Sequence, residues 1–123
     1  LDTMDTTKLH VHLLYVHEPV QINEVAFNEE PLLDMLRINK TREEAGLALL
    51  APAKARLESA GIAFDAHIRS GNPAEVITGF SREHHCDLIV MGTRGMGTIK
   101  NLLLGSVASK VVHLTEKPLL LVK

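Results

Sequence analysis

The chain has 123 residues, enough for one domain with a real core, and its 46% hydrophobic and 23% charged residues are ordinary for a globular protein. A formal charge of −2 and only 3% aromatic residues, with no Trp, argue against a nucleic-acid surface, basic or stacking. No apolar run approaches the ~20 residues of a membrane span, the first seven residues lack a signal-peptide pattern, and the one cysteine, Cys86, excludes an internal disulfide and suits a reducing cytoplasm.

Leu9–Val16 predicts a strand buried on both faces. His17-Glu-Pro19 breaks it, because proline lacks a donor and biases the preceding residue away from helix. Residues 20–30 read as a loop. Pro31–Leu36 predicts a short helix with proline at its first position. Thr41-Arg-Glu-Glu44 predicts the start of a longer one, with Thr41 as cap and Glu44 at the reciprocal capping-box position. Leu50, Ala53, Leu57 and Ala60 recur at helical spacing and should face a sheet. Pro52 predicts a kink or break, and Gly61 an end.

Ile62–Arg69 alternates as an edge strand. Gly71-Asn-Pro-Ala-Glu75 starts another helix: Asn72 caps, Pro73 takes the first position and Glu75 sits in the first turn. Ile77, Phe80 and His84 share one face of it. A strand over Asp87–Met91, a glycine loop, a helix over Ser106–Thr115 and a strand over Leu119–Val122 complete the chain. Strands alternating with helices predict a single α/β domain over residues 1–123, an open parallel sheet with helices on both faces.

The glycine loop carries the chemistry. Gly92-Thr-Arg-Gly95 follows an apolar strand; nine residues later Gly105-Ser106 opens a helix. Glycines let backbone N–H groups turn inward, and a helix N-terminus adds unpaired donors and a favourable dipole, so strand, loop and helix together suit an anion such as phosphate. At these residues the chain resembles the universal stress protein family, whose nucleotide-binding members carry G-x2-G-x9-G-[ST]. Asp87-Leu-Ile-Val-Met-Gly92 and Lys117-Pro-Leu-Leu-Leu-Val122 resemble that family's flanking strands. The resemblance implies a Rossmann-like fold of the adenine-nucleotide α-hydrolase type. It also implies ATP, with Val16, Met91 and Gly92 near adenine and ribose, Gly95, Gly105, Ser106 and Val107 near the phosphates, and Mg²⁺ neutralising them.

From the residues alone, Ser106 donates to phosphate or caps its own helix. Thr93 and Thr98 add hydroxyls or face water, and Arg94 and Lys100 neutralise phosphate or are solvated. The motif is neither a P-loop, since G-x4-G-K-[ST] is missing, nor a dinucleotide fingerprint, since Gly92, Gly95 and Gly97 have the wrong gaps. His84-His85-Cys86 looks like metal chemistry, but adjacent residues rarely aim at one ion and no second ligand pair stands nearby. His10 and His12 share a strand face and two histidines alone could ligate a metal, but burial against a helix or one hydrogen bond each is the ordinary role. Cys86 reads as inert, and Asp87 lies at the wrong end of its strand for a base.

A cradle without a clear base favours an ATP-binding stress-response or signalling module over a slow ATP-hydrolysing enzyme or a nucleotide-free scaffold. The bare edge of Leu119–Val122 predicts a homodimer, and the resemblance implies two such strands meeting across a two-fold axis. The family begins with a central strand ending in an aspartate loop, which Leu1–Thr7 does not match. The expectation is therefore an N-terminal strand missing between the strands ending at Val16 and Met91. Omitted residues, a donated strand or direct pairing of Leu9–Val16 with Asp87–Met91 would each account for it.

Overall fold

A computed structural model describes residues 8–20, 30–92 and 105–122. The elements in order are β1 (His10–His17), α1 (Pro31–Ser59), β2 (Ala63–Ser70), α2 (Pro73–Glu83), β3 (Ile89–Gly92), α3 (Ser106–Leu114) and β4 (Leu119–Val122). This is an α/β fold whose strands pair in parallel, β1 with β2 and β3 with β4. No ladder joins β1 to β3 among the described residues. Backbone contacts divide the chain into two compact units, Leu1–Ser70 and Gly71–Lys123.

In the first unit β1 and β2 lie in register from His10 opposite Ala63 to His17 opposite Ser70. Side chains alternate between faces, so His10, His12 and Leu14 share one face and Val11, Leu13 and Tyr15 the other. The expected burial of β1 on both faces is not observed: only His17 is buried, and the six residues before it are half-buried. Two strands cannot enclose one another as the middle of a wide sheet would.

Helix α1 packs on both strands. Its buried contact point is Gly46, where an added Cβ would stand 2.4 Å from Cδ2 of Tyr15. Glycine there lets helix and strand approach closely. The two helices expected over this stretch are one. Thr41 is not a cap: it lies within the helix, and its hydroxyl donates to the Arg37 carbonyl at 2.9 Å. Ten residues from Pro31 onward already form helix, so the N–H groups that a cap at Thr41 would serve have acceptors one turn back. Pro52 does not end the helix either.

The end at Gly61 holds. Gly61 has φ +70; its N–H donates to Glu58 at 3.1 Å, and that of Ile62 to Leu57 at 3.0 Å. These two bonds make the Schellman ending that favours glycine.

In the second unit Asn72 caps α2 as expected, its Oδ1 accepting from the Glu75 N–H at 3.2 Å, with Pro73 next. Helices α2 and α3 pack together. The unit's core is Ala74, Phe80, Ile89, Ala108 and Val111. The buried hydroxyls of Thr78 and Ser81 donate to Ala74 and Thr78 carbonyls at 3.0 and 2.8 Å, so their burial leaves no unmet donor. Strands β3 and β4 run in register from Ile89 opposite Leu119 to Gly92 opposite Val122. Val90, Leu120 and Val122 are exposed.

Candidate functional site

The two described ends of the glycine motif are a strand terminus and a helix terminus. Met91, half-buried, and Gly92, exposed, form the carboxyl end of β3. Gly105 is the N-cap of α3, and Ser106 its first residue. Gly95, with Thr93, Arg94, Thr98 and Lys100, lies outside the described residues.

Of the two roles open to Ser106, capping its own helix is not observed. Gly105 holds that position with φ −62 and ψ 161, and no side chain caps the helix. The first helical bond among these residues runs from the Ser109 N–H to the Gly105 carbonyl at 2.9 Å. The N–H groups of Ser106, Val107 and Ala108 precede it and have no acceptor within the helix. The first turn carries no acidic residue, so its partial positive charge is not neutralised from within. Ala108 and Val111 are buried and anchor the helix; Ser106 is exposed and Val107 half-buried. Such a terminus can hold an anion at its exposed first residues.

Val16, in the first unit, is half-buried next to the carboxyl end of β1 and opposite Arg69. His17, beside it, is 6% exposed, and neither ring nitrogen has a hydrogen-bond partner among the described residues. An unmatched buried polar group of this kind costs about 1–3 kcal/mol. A cleft of about 370 Å³ lies in the second unit, lined by Thr78, Ser81, Arg82 and the Leu114–Lys117 segment. It is at the carboxyl end of α3, and its lining includes none of the expected site residues that are described.

The family model described as "Universal stress protein family" matches residues 3–123. The chain belongs to the universal stress protein family. Universal stress protein YxiE of Bacillus subtilis (strain 168) is 32% identical over 115 residues, covering 94% of this chain and 76% of its own length. The solved structure of MJ0577, a universal stress protein of Methanocaldococcus jannaschii, aligns with a TM-score of 0.77 and 29% identity over 93% of this chain and 75% of its own. A universal stress protein family protein of Arabidopsis thaliana, solved with AMP bound, aligns with a TM-score of 0.62 and 25% identity over 96% of this chain and 66% of its own.

For this universal stress protein, the His84-His85-Cys86 cluster has a structural explanation. His84 is the C-cap of α2, and His85 adopts φ 51. The Cys86 N–H donates to Ser81 at 2.9 Å and the His85 N–H to Arg82 at 3.2 Å. This repeats the Schellman ending with histidine where glycine is usual. The His84 ring stacks on Phe80 at 3.9 Å between centroids, and its Nδ1 lies 3.1 Å from the Phe80 carbonyl. The backbone of these three residues therefore finishes a helix, and the His84 ring packs on its last turn.

Sequence reasoning paired His10 with His12 but missed Asp65 and His67. Both lie on β2 at the positions that the parallel register brings opposite His12 and Leu14. Their alternation, Asp-x-His, was the available signal.

Proposed function

We propose that this universal stress protein binds an adenine nucleotide, ATP with Mg²⁺, and acts as a stress-response signalling module with little turnover. One observation carries the reading. The G-x2-G-x9-G-S spacing starts at the carboxyl end of β3 and ends at an uncapped helix N-terminus free of acidic side chains. That combination offers oriented N–H donors to an anion at the end of the sheet where α/β folds hold ligands. The AMP-bound Arabidopsis relative supports an adenine nucleotide as the class.

In this reading the N–H groups of Ser106 and Val107, with the Ser106 hydroxyl, hold phosphate oxygens. Gly95 and Gly105 let the backbone come close, and Met91 and Gly92 border the ribose. A bound nucleotide supplies the negative charge; Mg²⁺ rides on its phosphates. Between Asp87 and His113 the sequence holds no Asp, Glu or His, so the loop contributes no base to activate water.

The test is calorimetry with ATP, ADP and AMP on wild-type protein and on Gly105→Val. The Gly105 backbone angles are open to any residue, so the substitution adds no backbone strain, and its side chain is expected to crowd the approach of a phosphate; circular dichroism checks that the variant is folded. Binding lost in the variant supports the assignment. Equal ATP affinity in both proteins refutes it.

A further inference from the structure

We propose that His10, His12 and Asp65 form a binding site for a divalent first-row transition-metal ion, of which Zn²⁺ is the best match, on one face of the β1–β2 ribbon.

The parallel register places His12 opposite Asp65 and Leu14 opposite His67, so alternation puts His10, His12, Asp65 and His67 on the same face. One ligand atom from each of His10, His12 and Asp65 lies within 4.8 Å of the others. The tightest pair is His10 Nε2 and Asp65 Oδ2, 2.8 Å apart. A tetrahedral ion with bonds of about 2.0–2.1 Å holds its ligand atoms about 3.3–3.4 Å from one another. The observed 2.8 Å pair and the 4.8 Å limit on the set bracket that value.

The donor set selects the ion. Two imidazoles and one carboxylate suit Zn²⁺, Ni²⁺ or Cu²⁺, whereas Mg²⁺ and Ca²⁺ take oxygen ligands. Three protein ligands leave a fourth position for water. His67 supports the arrangement: its Nε2 lies 3.2 Å from His12 Nδ1, a ring-to-ring hydrogen bond that orients His12 as outer partners orient metal-ligating histidines. The ring centroids of His10 and His12 are 4.8 Å apart, and those of His12 and His67 5.3 Å. A plain surface ion pair between His10 and Asp65 gives no reason for two more imidazoles to converge beside it. The side chains of His10 and Asp65 are 47% and 59% exposed, so an ion reaches them from solvent.

The site stands near the amino end of β1. Val16 is four positions beyond His12, about 13 Å along the strand. The metal site is therefore independent of the nucleotide reading, and each proposal can fail alone.

The experiment is a Zn²⁺ titration of tag-free protein by calorimetry, with Co²⁺ in parallel for its tetrahedral visible absorption. One ion should bind per chain. His12→Ala and Asp65→Asn should each weaken binding at least tenfold, and His67→Ala by about 10–100-fold as expected for an outer partner. His84→Ala and His113→Ala should leave it unchanged. Zn²⁺ should also shift the ring nitrogen resonances of His10 and His12, and not of His113, in wild-type protein, a readout that needs no variant to fold. Absence of saturable binding up to millimolar Zn²⁺, unchanged affinity in His12→Ala and Asp65→Asn, or shifts confined to other histidines would each overturn the proposal.

Discussion

Replacing Gly46 with alanine tests how closely α1 rides on β1. Alanine is the better helix former by about 1 kcal/mol, so on an exposed helix face this change would stabilise. Here the new methyl would stand 2.4, 2.8 and 3.1 Å from Cδ2, Cε2 and Cγ of Tyr15. Carbon atoms in ordinary contact are about 3.5–4.0 Å apart, so helix and ring must separate by roughly 1 Å. The clash includes Cγ, at the root of the ring, so flipping the ring in place does not relieve it. Overpacking of this kind costs about 1–3 kcal/mol, leaving a net destabilisation of about 1 kcal/mol after the helical gain.

With an unfolding entropy near 2.1 cal/mol/K per residue, that lowers Tm by about 4 °C. Thermal melts followed by circular dichroism should show the drop. In a Tyr15→Ala background the same Gly46→Ala change should instead raise Tm by about 2–4 °C, because the obstacle is gone and only propensity remains. A rise of equal size in both backgrounds would refute the close-contact argument.

His85→Gly should stabilise the protein by about 0.5–1 kcal/mol: it relieves a left-handed backbone that costs a side chain roughly 1–2 kcal/mol, less the greater freedom of glycine when unfolded. A lower melting temperature would contradict the Schellman reading of this helix end. ATP turnover by protein cleared of contaminating ATPase should stay below about 1 s⁻¹, the lower end of the usual enzyme range; faster steady-state release of phosphate would require a base that the loop lacks. Among the described residues β4 pairs only with β3, and we propose that its other edge joins a second copy. Leu120→Lys, at a residue 52% exposed within one chain, should convert dimers to monomers; sedimentation showing wild-type monomer at micromolar concentration would dismiss the dimer.

Much of the fold was legible because its signals are local. Asn72-Pro73 starts α2 and Gly61 ends α1 through bonds reaching only three to five residues, and short sequence patterns encode those directly. The same locality misled at Thr41, where a capping-box pattern lies in a helix already running from Pro31. The positive φ of His85 was not legible at all, because no residue pattern marks a histidine that the backbone uses as glycine is used. The glycine loop was legible as spacing, and its two ends fall on a strand terminus and a helix terminus as expected; Gly95 lies outside the described residues. The convergence of Asp65 and His67 on His10 and His12 depends on parallel register across α1, which no pattern within either strand specifies.

Both ladders are parallel, so neither can begin as a hairpin. Each requires its intervening helix to bring the second strand back alongside the first. The β1–β2 pairing spans about 50 residues and the β3–β4 pairing about 30, and closing the longer excursion costs only about 0.5 kcal/mol more. That difference favours earlier closure of the second ladder by roughly twofold. In a pulse-labelled refolding experiment, the amides of Val90 and Met91 should gain protection from exchange slightly ahead of those of Leu13 and Leu14. The order in which the two ribbons close is thus set by the lengths of their crossovers.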